Sequence, residues 1–321
     1  MTSTASFCAA ALAALLSTAT LASAEEVTLK AGVFVPLPTT YGEPFKRFVD
    51  HVNEVGKGVL QIRVVGGPEA IPPSEQANAV STGVLDMASI PPAYYKGQMI
   101  EGDAQLLTDM TLAEQRASGA YAYLDELAGE RFGATYLTTY GVNVPFHIYT
   151  TKEITGPEDL KGMRIRAQPN YGALFRALGI ESMTIAPTEV FTALERGVID
   201  GYGWPVWGIQ DFGWDKMTRM RVDPGFYSVI VNVLMNKAKY ESLTDAQQQV
   251  LTESAAWFEK DMESWSKDKT RENLEAQAAA GITSIDFGPE FRQMAADRYW
   301  KELSEASPEP IAKLRALLSA D

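Results

Sequence analysis

From Asp245 to Ala280 the chain runs without a proline or a glycine. Thr244 and Gln247 open the stretch at the spacing of a capping box. Ala, Gln, Glu and Lys dominate it, all strong helix formers. A straight helix of that length measures about 54 Å, which is longer than one small lobe. The pattern therefore predicts one long helix over 244–280 running along two lobes, in preference to two helices broken at Ser264–Lys267. The length of 321 residues leaves room for two domains.

Two runs of alternating elements supply those lobes. In the first, Val27, Leu29, Ala31 and Val33 alternate as a strand, and 34–40 is a proline-containing loop. Phe45, Phe48, Val49, Val52 and Val55 then recur at helical spacing until Gly56. A strand at 59–65, a short helix at 74–82 and a short strand at 84–90 follow. The spacing next predicts a helix over 111–128 and extended segments at 133–140 and 144–150. The second run has a strand at 163–166, a helix at 171–178, a strand at 182–186, a helix at 188–195 and a strand at 198–201. Two βαβαβ runs imply two similar α/β lobes with a cleft between them.

At the N-terminus, residues 7–16 form an apolar core too short to span a bilayer. Ala22-Ser23-Ala24 then offers a cleavage site, so 1–24 reads as a signal peptide, although its n-region lacks Lys and Arg. It would remove Cys8, the only cysteine. No second apolar run approaches about 18 residues. The mature chain is expected to be exported and soluble in a bacterial periplasm. With 41 acidic against 28 basic residues and no basic cluster, nucleic acid is not an expected partner.

Motifs for catalysis are missing. There is no H-E-x-x-H, G-x-S-x-G or P-loop, and Gly201, Gly203 and Gly208 do not match G-x-G-x-x-G. The two histidines are His51, on an amphipathic helix, and His147. No cofactor is expected and no metal-ligand set is visible.

The informative block is 159–205. It reads Asp-Leu-Lys-Gly-Met-Arg-Ile-Arg from Asp159, Ala-Leu-Gly from Ala177, and Pro-Thr-Glu-Val-Phe-Thr-Ala-Leu-Glu-Arg-Gly-Val-Ile-Asp-Gly from Pro187. This resembles the solute-binding proteins of tripartite ATP-independent periplasmic (TRAP) transporters, the DctP-type family. Gly83-Val-Leu-Asp-Met87 resembles a further family pattern, and the likeness covers the mature chain. It implies a two-lobed periplasmic-binding-protein fold, each lobe a central sheet flanked by helices, with a long helix spanning both. Lobe I is expected over 25–143 plus about 230–268, and lobe II over 144–229 plus about 269–321. The family captures a small organic acid between the lobes and delivers it to membrane permease subunits.

By its place in the motif, Arg166 is the residue that meets the ligand carboxylate. A guanidinium is permanently charged and can grip a carboxylate with two parallel hydrogen bonds. Arg164 is set aside as facing the other way. The family's second arginine register falls on Phe146, followed by His147. In many members the segment from Asp200 reads D-G-Q-E-N-P with a ligand-contacting Asn; here Trp204 holds that position. These departures point to a monocarboxylate with an apolar or aromatic body, with Trp204 as a wall offering one N–H donor. Tyr202, Gln168, Phe34, Tyr41, Tyr94 and Phe226 are further wall candidates. Phe212 and Trp214 read as core. Some relatives hold a 2-oxo acid through a cation, but no ligand set for one stands out here.

The expected mechanism is hinge closure, with crossings near 142–145 and 229–233 and a third along the long helix. The protein is expected to act as a monomer. Two rival readings are a periplasmic lyase or isomerase using His147 and a ligand-binding sensor subunit.

Overall fold

The computed structural model describes residues 26–319. The expected signal segment and Cys8 lie outside the described residues. The opening alternation folds as β1 (Val27–Val33), and Phe45, Phe48, Val49 and Val52 form the buried face of α1 (Gly42–Val55). α2 (Pro73–Ser81) then separates β2 (Leu60–Gly66) from β3 (Met87–Ile90). Residues Ile100–Leu107 coil as 3-10 turns, which no periodicity announced. The helix expected over 111–128 is two helices, α3 (Leu112–Ala117) and α4 (Ala120–Phe132). Thr111 and Glu114 close a capping box on α3, and the chain breaks at Ser118–Gly119. β4 (Ala134–Tyr140) ends the first lobe's opening run.

The second lobe opens with β5 (Phe146–Thr150) and β6 (Arg164–Ala167), followed by α5 (Gly172–Ala177). It continues through β7 (Glu181–Thr184) and α6 (Pro187–Glu195) to β8 (Gly201–Pro205) and β9 (Met220–Asp223). The strand expected at 198–201 starts later. The Val198 and Ile199 amides return to the Ala193 carbonyl at the end of α6, so neither can join a ladder. Tyr202 and Trp204 therefore lie within β8. The chain then gives β10 (Val231–Asn236), α7 (Lys237–Glu241), α8 (Asp245–Ala279), β11 (Thr283–Asp286), α9 (Pro289–Ala306) and α10 (Pro308–Leu317).

The strands form two sheets. One has the order β2-β1-β3-β10-β4, and the other β11-β9-β5-β8-β6-β7. β1 is parallel to β2 and β3, whereas β10 runs antiparallel between β3 and β4. In the second sheet β6 is parallel to β7 and β8, and β5 is antiparallel to β8 and β9. β10 thus enters the first sheet from the second, and β5 and β11 enter the second sheet from the first.

The long helix is a single element. α8 is 35 residues, capped by Thr244 and Gln247 as expected. Its first half packs on α1 and β4, where Arg47 holds Asp261 through two nitrogens at 2.9 and 2.8 Å. Its second half serves the other sheet: Asn273 Oδ1 accepts from the Gly208 amide at 2.9 Å, and Gln277 Nε2 donates to the Val206 carbonyl at 2.7 Å. Trp207 donates to Thr270 at 2.8 Å in the same region. Partners on both sides of Ser264–Lys267 keep that segment helical. Among the described residues no helix is long and apolar enough to cross a membrane.

The chain crosses between the sheets at 141–145 and again at 224–230, and the crossings lie side by side. Pro145 bridges Ser228, and the Val229 amide donates to the Val144 carbonyl at 2.8 Å. Gly141 turns there with φ +84°, and a Cβ on it would stand 2.6 Å from Val229 Cγ1. Both the backbone angle and the contact require glycine.

Candidate functional site

The second sheet presents Arg166 one strand in from its β7 edge. β6 lies between β7 and β8, with Arg166 opposite Met183 and Tyr202. Its side chain is 2% exposed. Nε donates to the Ile185 carbonyl at 3.0 Å and Nη1 to the Gly203 carbonyl at 3.2 Å. The guanidinium carbon stands 5.1 Å from the Trp204 ring centroid, a cation–π contact. Among the described residues no carboxylate forms an ion pair with it. A buried cation held only by neutral groups, here carbonyl dipoles, a ring and the nearby Tyr94 and Tyr171 hydroxyls, is unusual, because desolvation is normally offset by a counter-charge.

Arg164 shares the same strand face, since positions two apart point the same way. The expectation that it faces the opposite way is corrected. It is excluded from the site by its partner: its amide and Nε both donate to Asp200 at 3.1 Å. Burial alone would raise the Asp200 carboxyl, but hydrogen bonds from Arg164 and Lys152 outweigh it and hold the pKa at about 2. The motif aspartate is thus a structural tie between β6 and the turn before β8.

A cavity of about 20 Å³ lies between the sheets. It is walled by Phe34 and Tyr41 beyond β1, Pro91 beyond β3, Gln168 beyond β6, Trp204 in β8 and Phe146 in β5, and closed by Val229–Val231. The parallel strands β1, β3 and β6 all end here, the usual position of a ligand cleft in α/β folds. The space suits about one water. Arg166 stands behind Trp204 and Gln168. Tyr94, packed on Phe34 at 6.2 Å, reaches it from the first lobe. Burial raises the Tyr94 hydroxyl's pKa, while the Arg166 charge and the Gln168 side chain pull it down.

The structure therefore brings Arg166, Trp204, Phe146, Gln168, Phe34, Tyr41 and Tyr94 together. Three expected wall residues lie elsewhere. His147 alternates to the other face of β5, where Nδ1 meets the Val222 carbonyl at 2.8 Å and Asp223 at 3.0 Å. Burial would raise the Asp223 carboxyl, but bonds from His147 and Arg221 hold it well below the usual carboxylate range. Tyr202 packs between Tyr149 and Trp214, with its hydroxyl 2.6 Å from Thr218 Oγ1. Phe226 backs Phe146 and Tyr171 at 6.0 and 5.3 Å and faces a different cavity, alongside Trp300 and Arg292. The Trp204 indole N–H is also already used, donating to the Trp207 carbonyl at 2.9 Å. Trp204 offers the site a ring face and no donor.

Sequence reasoning missed Tyr171. Its ring lies on β8 beside Arg166, and a Cβ on Gly203 would stand 2.7 Å from that ring. The signal was present: Gly203 occupies a position where the family pattern carries Glu, and the vacated space is filled by Tyr171. Pro91 and Val229–Val231 had no motif to mark them. Among the described residues no group of three or more His, Cys, Asp or Glu could hold a metal ion.

Comparison with known proteins identifies the family and the fold. The model of the DctP family, bacterial extracellular solute-binding protein family 7, matches residues 32–306. The chain belongs to that family. A solute-binding protein of Roseobacter denitrificans is 23% identical over 92% of this DctP-family chain and 94% of its own. The Roseobacter TRAP protein solved with bound L-galactonate superposes with a TM-score of 0.79 at 18% identity, covering 92% of this chain and 99% of that one. A TRAP solute-binding protein of Bordetella bronchiseptica, solved with calcium and picolinate, gives 0.80 at 22% identity over 92% of both chains. A marine-metagenome TRAP protein specific for aromatic acids, solved with 3-hydroxybenzoate, gives 0.76 at 23% identity over 92% and 98%. The two-lobed fold and the solute-binding, non-enzymatic class follow.

Proposed function

We propose that this DctP-family protein captures a small monocarboxylate with an apolar or aromatic body and passes it to TRAP permease subunits. The observation that carries the reading is Arg166: nine-tenths buried and more, with no carboxylate partner among the described residues, beside a cavity walled by aromatic and aliphatic groups. An incoming carboxylate supplies the missing counter-charge. In a site shielded from water that pair is far stronger than on a surface. Ring contacts among Phe34, Tyr41, Trp204 and Phe146 suit an apolar body and offer a second arginine no place.

A cavity of about 20 Å³ holds no organic acid, so entry requires the lobes to part. The crossings at 141–145 and 224–230 are the hinge strands of that motion. Lobe I takes 26–143 and the first half of α8, and lobe II takes 144–229 and the second half. At the cleft mouth Thr40 of lobe I donates its amide to Asp211 of lobe II at 2.7 Å, a bond the closed form makes and the open form lacks. The protein acts as a monomer in the periplasm after removal of residues 1–24. The relatives' ligands are chemically diverse, so the preference rests on this chain's own walls.

The test is a thermal-shift and calorimetric screen of aliphatic, aromatic, hydroxy- and dicarboxylic acids against the wild type and Arg166→Ala. A ligand at about a hundred times its dissociation constant adds roughly 2.7 kcal/mol of stability. Stabilisation of the wild type alone by a monocarboxylate supports the proposal. Binding of C4-dicarboxylates in preference to every monocarboxylate defeats it.

A further inference from the structure

Among the described residues three buried polar atoms around the cleft make no well-formed hydrogen bond, namely the Tyr41 and Tyr171 hydroxyls and Asn170 Oδ1; the Tyr171 oxygen has only a loose contact as acceptor with the Arg166 guanidinium, which leaves its proton free to donate. Tyr41 lines the cavity from the first lobe, 3% exposed, and Tyr171 sits beside Arg166 on the second, fully buried. Their rings are held from every side. Tyr41 packs against Phe34, Trp204 and Trp207 at 6.2, 6.1 and 5.5 Å. Tyr171 packs against Phe146, Phe175 and Phe226 at 5.3, 5.6 and 5.3 Å. Neither ring can swing to find water without undoing the aromatic cluster.

Burial pushes both hydroxyls well above the usual tyrosine range, so both stay protonated and able to donate. Tyr171 adds to the rise at Tyr41, and the Arg166 charge opposes the rise at Tyr171. Tyr41 packs on Trp204, whose ring Arg166 faces, and Tyr171 packs on Phe146, so both rings border the walls of one cavity. Other buried hydroxyls differ among themselves: Tyr140 bonds Ser89 and the Tyr41 carbonyl at 2.9 and 2.8 Å and Tyr202 bonds Thr218 at 2.6 Å, whereas the Tyr121 hydroxyl and Ser254 Oγ are unpaired among the described residues but border no cleft wall. Leaving a hydroxyl unpaired in an apolar wall destabilises the empty site, and a ligand oxygen placed there removes that penalty.

We infer that the bound acid carries a second oxygen besides its carboxylate, a hydroxyl or carbonyl received by Tyr41 and Tyr171. The ligand class narrows to hydroxy- or oxo-monocarboxylates with an apolar body. This inference rests on the organic-acid reading above. A site built to hydrogen-bond an oxygen rejects the analogue that lacks it more strongly than an apolar pocket rejects a changed methylene.

Calorimetry on the full chain with two matched pairs tests it: benzoate against 3-hydroxybenzoate, and 3-methylbutanoate against 2-hydroxy-3-methylbutanoate. In the wild type the oxygenated member of at least one pair binds about tenfold or more tightly, equivalent to about 1.4 kcal/mol. Tyr41→Phe or Tyr171→Phe shrinks that ratio to within about twofold, while an unchanged circular-dichroism spectrum and a cooperative melting transition of the unliganded variant report an intact fold. Tyr202→Phe, whose lost hydroxyl was already paired, leaves the ratio unchanged. Equal affinity within both pairs, or a ratio that survives both cleft substitutions, overturns the inference alone. Failure of all four acids to bind the wild type overturns the organic-acid reading beneath it as well.

Discussion

Two regions join the lobes, and they treat charge in opposite ways. Along α9, Glu302 takes Lys96 from the first lobe at 3.0 Å and Arg176 from the second at 2.5 Å. Nearby, Glu101 accepts from Arg131 at 2.8 Å and from Ser307 at 2.7 Å. In the cleft, Arg166 is more deeply buried than any of these cations and has carbonyls, a ring and tyrosine hydroxyls around it but no carboxylate among the described residues. The seam's charges answer one another, and their work ends with folding. The cleft's charge and its unpaired hydroxyls have work left to do. The contrast is one of charge: the seam's ion pairs are complete within the chain, and on the proposed function the cleft's arginine is completed by a ligand.

The largest effect that could break this contrast comes from the two arginines of β6. Arg166→Ala should weaken ligand binding by on the order of a hundredfold or more, since truncating one partner of a buried charge pair costs about 2–5 kcal/mol. Arg164→Ala should leave affinity within about twofold, because that guanidinium already belongs to Asp200. Calorimetry on both variants with one ligand decides the matter. Comparable losses in the two would mean that pairing is no guide to function here.

Asp103 sharpens the comparison from the seam's side. It is fully buried beside Lys96 and Glu302 and accepts a hydrogen bond from Tyr299. Burial raises its pKa from 3.8 to about 6, against the pull of Tyr299 and Lys96. The folded state therefore holds the proton more tightly than the unfolded chain. This contribution to stability is complete below about pH 4 and is lost as pH rises through about 6, roughly 3 kcal/mol in all. Asp103→Asn should remove that dependence and gain stability at neutral pH relative to the wild type, with Tyr299 still donating to the amide oxygen. Denaturation midpoints between pH 4 and 7 would show it. Parallel pH profiles for the two proteins would mean that Asp103 titrates normally.

At the cleft mouth, Asp211→Ala removes the acceptor of the Thr40 amide. The expected result is ligand dissociation about tenfold faster, with association little changed, from one charge-assisted bond made only on closure. Stopped-flow traces separate the two rates. A change confined to association would place the clasp outside the closing step. The smallest effect belongs to Glu302→Gln. Its two partly exposed ion pairs should together contribute about 1 kcal/mol, lowering the melting temperature by a few degrees while affinity changes less than about threefold. A large loss of affinity there would make the α9 seam part of the binding mechanism.

Much of the fold was legible because it depends on local pattern. Valine alternation marks β1, the aromatic spacing marks α1, and the capped, Pro- and Gly-free run marks α8. The one helix expected over 111–128 failed because helical spacing survives on both sides of a two-residue break. The strand at 198–201 was misplaced because amides ending α6 are committed to Ala193, a contact no periodicity reports. At the site, Arg166 was legible through its motif, and Trp204 through its departure from one. Tyr171 was not, since only the empty space at Gly203 reserves its place.

The sequence by itself determined the family, the two α/β lobes and the spanning helix, and it singled out Arg166 as the candidate ligand contact. These follow from residue order, where each turn of helix or pleat of strand repeats its own chemistry. Only the tertiary structure decided which polar groups are free. His147, Tyr202 and the Trp204 N–H have the chemistry of ligand contacts, but Asp223, Thr218 and the Trp207 carbonyl already occupy them. Hydrogen-bonding capacity belongs to a residue type, whereas its availability depends on neighbours far away in the chain, and folding alone brings those neighbours within 3 Å.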